Sequence, residues 1–202
     1  MLGCRAHRVA DTGYPAQPVI WQGSSPHGDR PVGNGTQTFA LVGCVVVSVA
    51  MALRFLGVRA GATPLQVQAA GLLRPGVWAP GASGCVVPEL VRAQTDLEVG
   101  ADMDGAGRVA SVERLRPLLV DAIRAGGVAL VAVDYDAHSP TGDATAEHWC
   151  CAFGIDGSDL LIADPATAKT ERLPLVTLSA GVRWGRRERR YTVVRAVTVR
   201  VG

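Results

Sequence analysis

No stretch of this chain reaches the roughly 18 to 20 uninterrupted apolar residues that a membrane-crossing helix needs. The nearest approach, Phe39 to Leu53, is interrupted by Ser48 and closed by Arg54. The opening MLGCRAHRVADTGYP lacks the apolar core of a secretory signal. Leu2-Gly3-Cys4, although it looks like a lipoprotein cleavage box, has no hydrophobic segment before it. The expectation is a chain made in the cytoplasm, without signal peptide or membrane span. Excess charge is also missing: 20 Lys and Arg against 18 Asp and Glu leave a net charge of +2. That balance excludes a general nucleic-acid or membrane-surface footprint. The five cysteines, at 4, 44, 85, 150 and 151, are odd in number and contain no C-x-x-C pair. On a strand, Cys150 and Cys151 point to opposite faces. Neither a disulfide framework nor a structural zinc site is expected, and the pattern suits a reducing compartment.

What the chain does have is apolar substance. Hydrophobic residues make up 48% and charged residues 19% of 202 positions, enough for one domain with a sizeable core. Residues 1–36, rich in Gly, Pro, Ser, Asn and Asp, read as a loop-rich arm with a short strand at Pro18 to Gln22. Residues 37–202 read as the domain. From Cys44 to Leu56 only Ser48 and Arg54 are polar, which predicts a helix buried all round. Gly57 is placed for a left-handed cap. Thr63-Pro64-Leu65-Gln66 is a capping box that opens a helix to about Leu73. Pro88 to Thr95 reads as another short helix, Leu97 to Gly100 as a short strand, and Pro117 as the start of a helix closed by Gly126-Gly127. The pattern then turns to strands at Val128–Tyr135, His148–Ile155, Leu160–Ala163 and Tyr191–Arg200, with Asp156-Gly157-Ser158 as a hairpin turn. Helices followed by a strand meander predict an α+β fold, a central buried helix packed on an antiparallel sheet.

Three residues carry candidate chemistry. Cys44 opens the buried helix, where unpaired N–H groups and the helix dipole favour a thiolate. His148 begins one strand and Asp164 ends its hairpin partner, so the two are expected roughly opposite each other across the ladder. A carboxylate there fixes the imidazole tautomer and frees the other nitrogen to take a proton from a thiol. Asp134, Asp136 and His138, in or beside the loop before His148, are second-rank acid–base groups. RWGRRERR, residues 183–190, reads as a solvated loop or as a face for an anionic substrate. Trp149, beside His148, reads as a cleft wall or as core.

Three segments together resemble the papain-like cysteine peptidases, in particular the bacterial branch that contains the double-glycine leader peptidases. GCVVVSVAMALRFLG is similar to that family's nucleophile helix, AEHWCCAFGID to its histidine strand, and LLIADPA to its Asp-Pro strand end. The likeness spans roughly residues 37 to 165. It implies a papain-like fold, with Cys44 as nucleophile, His148 as general base and then acid, and Asp164 orienting His148, without metal or organic cofactor. The family also implies a glutamine about six residues before the cysteine, whose amide completes the oxyanion hole. Gln37, seven before, is favoured for that role and Gln22 is the more distant choice. Val45 replaces the glycine that follows the cysteine in leader peptidases, which favours a wall- or tail-associated subgroup.

The resemblance therefore implies hydrolysis of peptide bonds in a peptide or in peptidoglycan stem peptides, by a protein that is virion-associated or acts at the cell envelope. The alternative is a non-catalytic scaffold of the same fold, part of a larger assembly such as a phage tail, with the N-terminal arm wrapping a protein partner. An acyltransferase or transglutaminase-like use of the triad is a third option, because water and amine acceptors need the same nucleophile.

Overall fold

The computed structural model describes residues 19–104, 112–135 and 148–202. Within them the chain is a mixed α+β fold built on a wholly antiparallel sheet. The helices are α1 (Phe39–Val42), α2 (Cys44–Phe55), α3 (Pro64–Leu72), α4 (Val87–Arg92) and α5 (Val112–Arg124). The strands are β1 (Leu97–Asp104), β2 (Val128–Asp134), β3 (His148–Asp156), β4 (Asp159–Asp164), β5 (Lys169–Pro174), β6 (Ser179–Trp184) and β7 (Arg187–Val201). Among the described residues, no helix is long and apolar enough to cross a membrane.

The sheet runs β1-β7-β2-β3-β4-β5, and β6 pairs with the first half of β7. Strand β7 organises it: Arg187–Thr192 pairs with β6, Thr192–Val199 with β2, and Arg195–Val201 with β1. Two cores lie on its two faces. On one, α2 packs Val46, Val47, Val49, Ala50 and Leu53 among Leu130, Ala132, Cys151 and Val197. On the other, Leu115, Leu119 and Ile123 of α5 join Val131, Cys150, Ile162 and the curled-over residues Leu173, Leu178 and Tyr191. All seven residues of β2 are buried, as an apolar run flanked on both faces must be.

Helix α2 has the buried form its composition predicts. Its one interior hydroxyl, Ser48, donates to the Trp149 carbonyl at 3.1 Å, tying the helix to the strand that begins with His148. Such a buried bond is worth about 1 kcal/mol, and leaving the hydroxyl unpaired would cost more than the bond gives. Gly57 takes the left-handed conformation at φ 72° just past the helix. Gly43, at the other end, is required by space. A Cβ there would lie 2.6 Å from the Phe39 carbonyl oxygen, so only glycine lets the chain fold tightly enough to present Cys44 as the first helical residue.

Several elements differ from expectation. Helix α5 starts by Val112 rather than at Pro117. Its apolar face, Val112, Leu115, Leu119 and Ile123, runs straight through the proline, and burying that face outweighs the lost backbone bond. Strands β5 and β6 had no clear alternation to reveal them, and β7 begins at Arg187 instead of Tyr191. RWGRRERR is therefore the tip of the β6–β7 hairpin, turning at Gly185 (φ 58°), and not a free loop. The short strand expected at Pro18 to Gln22 does not form in its described part, Val19–Gln22, where a Gln22 N–H bond to the Pro165 carbonyl (2.9 Å) stands in place of a ladder. The described part of the arm packs on the domain: Ile20 and Val32 are buried in the same core as α2, and the Ile20 N–H points at Met51 Sδ.

Candidate functional site

Antiparallel pairing brings the end of β2, the start of β3, the end of β4, the start of β5 and the tip of β6–β7 to one rim of the sheet. Both sequence-predicted strand residues stand on that rim. His148 Nε2 lies 2.7 Å from Asp164 Oδ1, with side chains only 4% and 0% exposed. The register is not the expected one. Cys151 pairs with Ala163, so extending the ladder puts Cys150, not His148, opposite Asp164. His148 reaches the carboxylate diagonally, a span that a long side chain bridges.

A bulge makes this possible. The β3–β4 register shifts by one residue between Ala152 and Gly154, leaving Phe153 as the extra residue, stacked on Phe55 of α2 at 4.1 Å. Without that shift, Asp164 would fall opposite Cys151 and face α2. With it, Asp164 shares a face with His148 and Cys150, because a one-residue slip exchanges the faces of a strand.

Asp164 is held from three sides. Besides His148, the Ala166 N–H donates to Oδ1 at 2.8 Å and the Tyr191 hydroxyl donates to Oδ2 at 2.7 Å. The Trp184 indole N–H in turn donates to Tyr191 Oη at 2.6 Å. Burial alone would raise the pKa of Asp164, but the bonds from His148, Tyr191 and Ala166 outweigh it and keep the carboxyl below its usual range. Burial likewise opposes a charged His148, yet its neighbours Cys150 and Asp164 win, and the imidazole is held well above its ordinary value. The ionised Asp164 is the cause that acts at neutral pH, since burial pushes the Cys150 thiol up to about 12. Burial and the adjacent Asp164 charge keep Tyr191 protonated, as a donor.

Cys44 completes the cluster. It is half-buried at the first position of α2, and its thiol is among the groups that raise the pKa of His148, behind Cys150 and Asp164. Since Nε2 is committed to Asp164, Nδ1 is the nitrogen left to exchange a proton with a thiol. Cys150 also reaches the ring but is fully buried, so Cys44 is the thiol that a substrate can approach. An aromatic wall surrounds the imidazole: Trp184, Tyr191 and Tyr135 have ring centroids 5.6, 5.9 and 6.4 Å from it. The Arg189 guanidinium lies 4.4 Å over Tyr135 and 4.8 Å over Trp184, holding both rings by cation–π attraction.

The structure thus brings His148 and Asp164 into direct contact, with Cys44 of α2 coupled electrostatically to the imidazole. Gln37 lies on an exposed turn, its backbone bonded to Val32 and Ser83. Gln22 is buried. Its backbone N–H binds the residue after Asp164, its Nε2 donates to the Ala40 carbonyl at 2.9 Å, four residues before Cys44, and its Oε1 has no partner among the described residues. One N–H of that amide remains to be used. Asp134 is buried at the end of β2; Asp136 and His138 lie outside the described residues. Trp149 faces the α2 core, and the cleft-side tryptophan is Trp184.

Sequence reasoning missed Cys150, Tyr191 and Trp184. Strand alternation gives Cys150, two residues after His148, whereas nothing in the sequence aligns β7 with Asp164. His148, Cys150 and Asp164 offer ligand atoms within 4.8 Å of one another and could hold a soft metal ion. At 2.7 Å, however, Nε2 and Oδ1 share a proton, and two ligands of tetrahedral zinc would stand about 3.3 Å apart. No family model matches the chain, and no curated protein matches it in sequence.

Proposed function

We propose that the protein is a papain-like cysteine hydrolase that cleaves amide bonds. One observation carries this reading: the imidazole of the buried His148–Asp164 pair, 2.7 Å apart, has its pKa raised in part by Cys44, a half-buried thiol at a helix N-terminus. The Cys44 sulfur passes its proton to His148 Nδ1 and attacks the carbonyl carbon. The tetrahedral intermediate collapses as the C–N bond breaks and the imidazolium protonates the departing amine. Water, deprotonated by His148, then attacks the thioester carbonyl, the C–S bond breaks and the carboxylic acid leaves. The backbone N–H of Cys44 and the spare Gln22 N–H are the donors available to the oxyanion. The substrate class is a peptide. Peptidoglycan stem peptides, met at the cell envelope or from a virion, are the first candidates, on the resemblance of the three segments alone.

Iodoacetamide near pH 6 tests the pair. Cys85 and Cys150 are pushed up to about 12 and Cys151 is raised further, all mainly by burial. Each therefore holds roughly one thiolate in 10⁵ or fewer at neutral pH. Mapping of the labelled peptides is expected to show Cys44 modified far ahead of these three, with the preference lost in His148→Ala. Equal, slow labelling would favour the non-catalytic scaffold. Zymography on purified cell wall then decides between wall and free peptides.

A further inference from the structure

Beside the triad, Ala166, Thr167, Lys169, Arg183, Trp184 and Gly185 line an open pocket of about 260 Å³. It shares two walls with the site. The turn whose Ala166 N–H binds Asp164 forms one side, and the indole that packs on His148 forms another. Its charge is positive and unspent. Lys169, the single lysine of the chain, and Arg183 make no ion pair among the described residues. On nearby strands, by contrast, Arg172 is neutralised by Asp156 and Asp159, and Arg195 by Asp102. Three carboxylates come near without filling the role, and of these Asp164, opposite Lys169 in register, is buried and taken up by His148, Ala166 and Tyr191. Glu188 is opposite Arg183 in register but leans over Gly181, where an added Cβ would lie 2.5 Å from its Oε1. Glu171 feels the Lys169 charge but accepts its hydrogen bond from Thr167. Arg189 adds a third cation above Trp184.

We infer that this pocket is a subsite for a carboxylate group of the substrate. The inference rests on the hydrolase reading for the word substrate, but not for the binding itself. The volume is below that of a drug-sized ligand site and suits one charged residue. Arg183 supplies a planar fork that can bind a carboxylate bidentately, and Lys169 supplies a point charge from the start of β5. The carboxylate can come from an acidic side chain or from a chain terminus.

The test uses the full chain as Cys44→Ala, labelled with ¹⁵N-tryptophan, the Trp184 indole signal being assigned by its loss in Trp184→Phe. Three probes are titrated: Ac-Ala-Glu-Ala-NH2, Ac-Ala-Ala-Ala-OH and the neutral Ac-Ala-Gln-Ala-NH2. One carboxylate peptide is expected to shift the signal saturably, about tenfold or more tighter than the neutral one, and salt should weaken it. Which of the two binds identifies the source of the carboxylate. Arg183→Gln and Lys169→Gln, both exposed positions, should each remove most of that preference. No saturable shift, equal binding of the neutral peptide, or a preference untouched by Arg183→Gln overturns the subsite. Carboxylate binding by a protein whose Cys44 fails the alkylation test overturns the hydrolase instead and leaves the subsite standing.

Discussion

Tyr191→Phe removes a single oxygen from the centre of the cluster and leaves the ring that fills the core. The lost hydroxyl is one of three donors on a carboxylate that is 0% exposed. A hydrogen bond to a charged group is worth about 1.5–3 kcal/mol. The Trp184 N–H loses its acceptor too, but that side chain is half-exposed and water can replace the oxygen. The expected destabilisation at pH 7 is therefore about 2–3 kcal/mol, read as a shift in the urea midpoint at unchanged slope. The same loss moves the coupled pair: the Asp164 pKa rises, and that of His148, which is high partly because of that carboxylate, falls. A less basic imidazole is a weaker acceptor for the thiol proton, so alkylation of Cys44 at pH 6 should slow. The alkaline limb of peptide hydrolysis should move to lower pH. Unchanged alkylation and an unmoved limb, beside the expected loss of stability, would refute the reasoning: Tyr191 would then be core and nothing more.

Asp164→Asn tests the pair through stability. The folded Asp164 pKa is depressed from 3.8, so its contribution is whole above that value and is lost as pH falls through the folded value. The folded His148 pKa is raised above 6.5, so its contribution is whole below 6.5 and is lost as pH rises through the folded value. The gap in stability between wild type and Asp164→Asn should be widest from about pH 4 to 6.5 and narrow on both sides, followed by urea unfolding across pH 3–10; a gap constant across that range refutes the pairing. The two glutamines separate in kinetics. Gln22→Ala is expected to lower kcat about 10²–10³-fold, the effect of removing an oxyanion donor, whereas Gln37→Ala should leave it within twofold. The reverse pattern would return the role to Gln37.

Much of this was legible in one dimension. The run after Cys44, apolar but for Ser48 and Arg54, could only be a buried helix, and Gly57 could only end it. Thr63 to Gln66 specified a capping box, which forms with both bonds in place. The strand at Val128 and the turn at Gly157 follow from local pattern alone, because alternation and glycine freedom act over a few residues. Cys44, His148 and Asp164 were marked by their neighbours in sequence, a helix start, a strand start and a strand end. Strands β5 and β6 escaped because Lys169–Pro174 is a half-covered edge segment with only Leu173 buried, so it carries no two-residue period.

What the sequence could not decide was which way those side chains face. A strand's faces are fixed by register, and the register of β3 on β4 changes at Phe153 for a reason that is tertiary: its ring is stacked on Phe55 of α2. That single extra residue turns Asp164 from the helix side to the histidine side. Tyr191 and Trp184 reach the carboxylate only because β7 is long enough to pair with three strands and carry the hairpin tip back over the rim. Sequence chose the chemical groups, through local preferences that a short window contains. Long-range pairing chose their neighbours, because a contact such as that of Tyr191 with Asp164, 27 positions apart, depends on packing that no window holds.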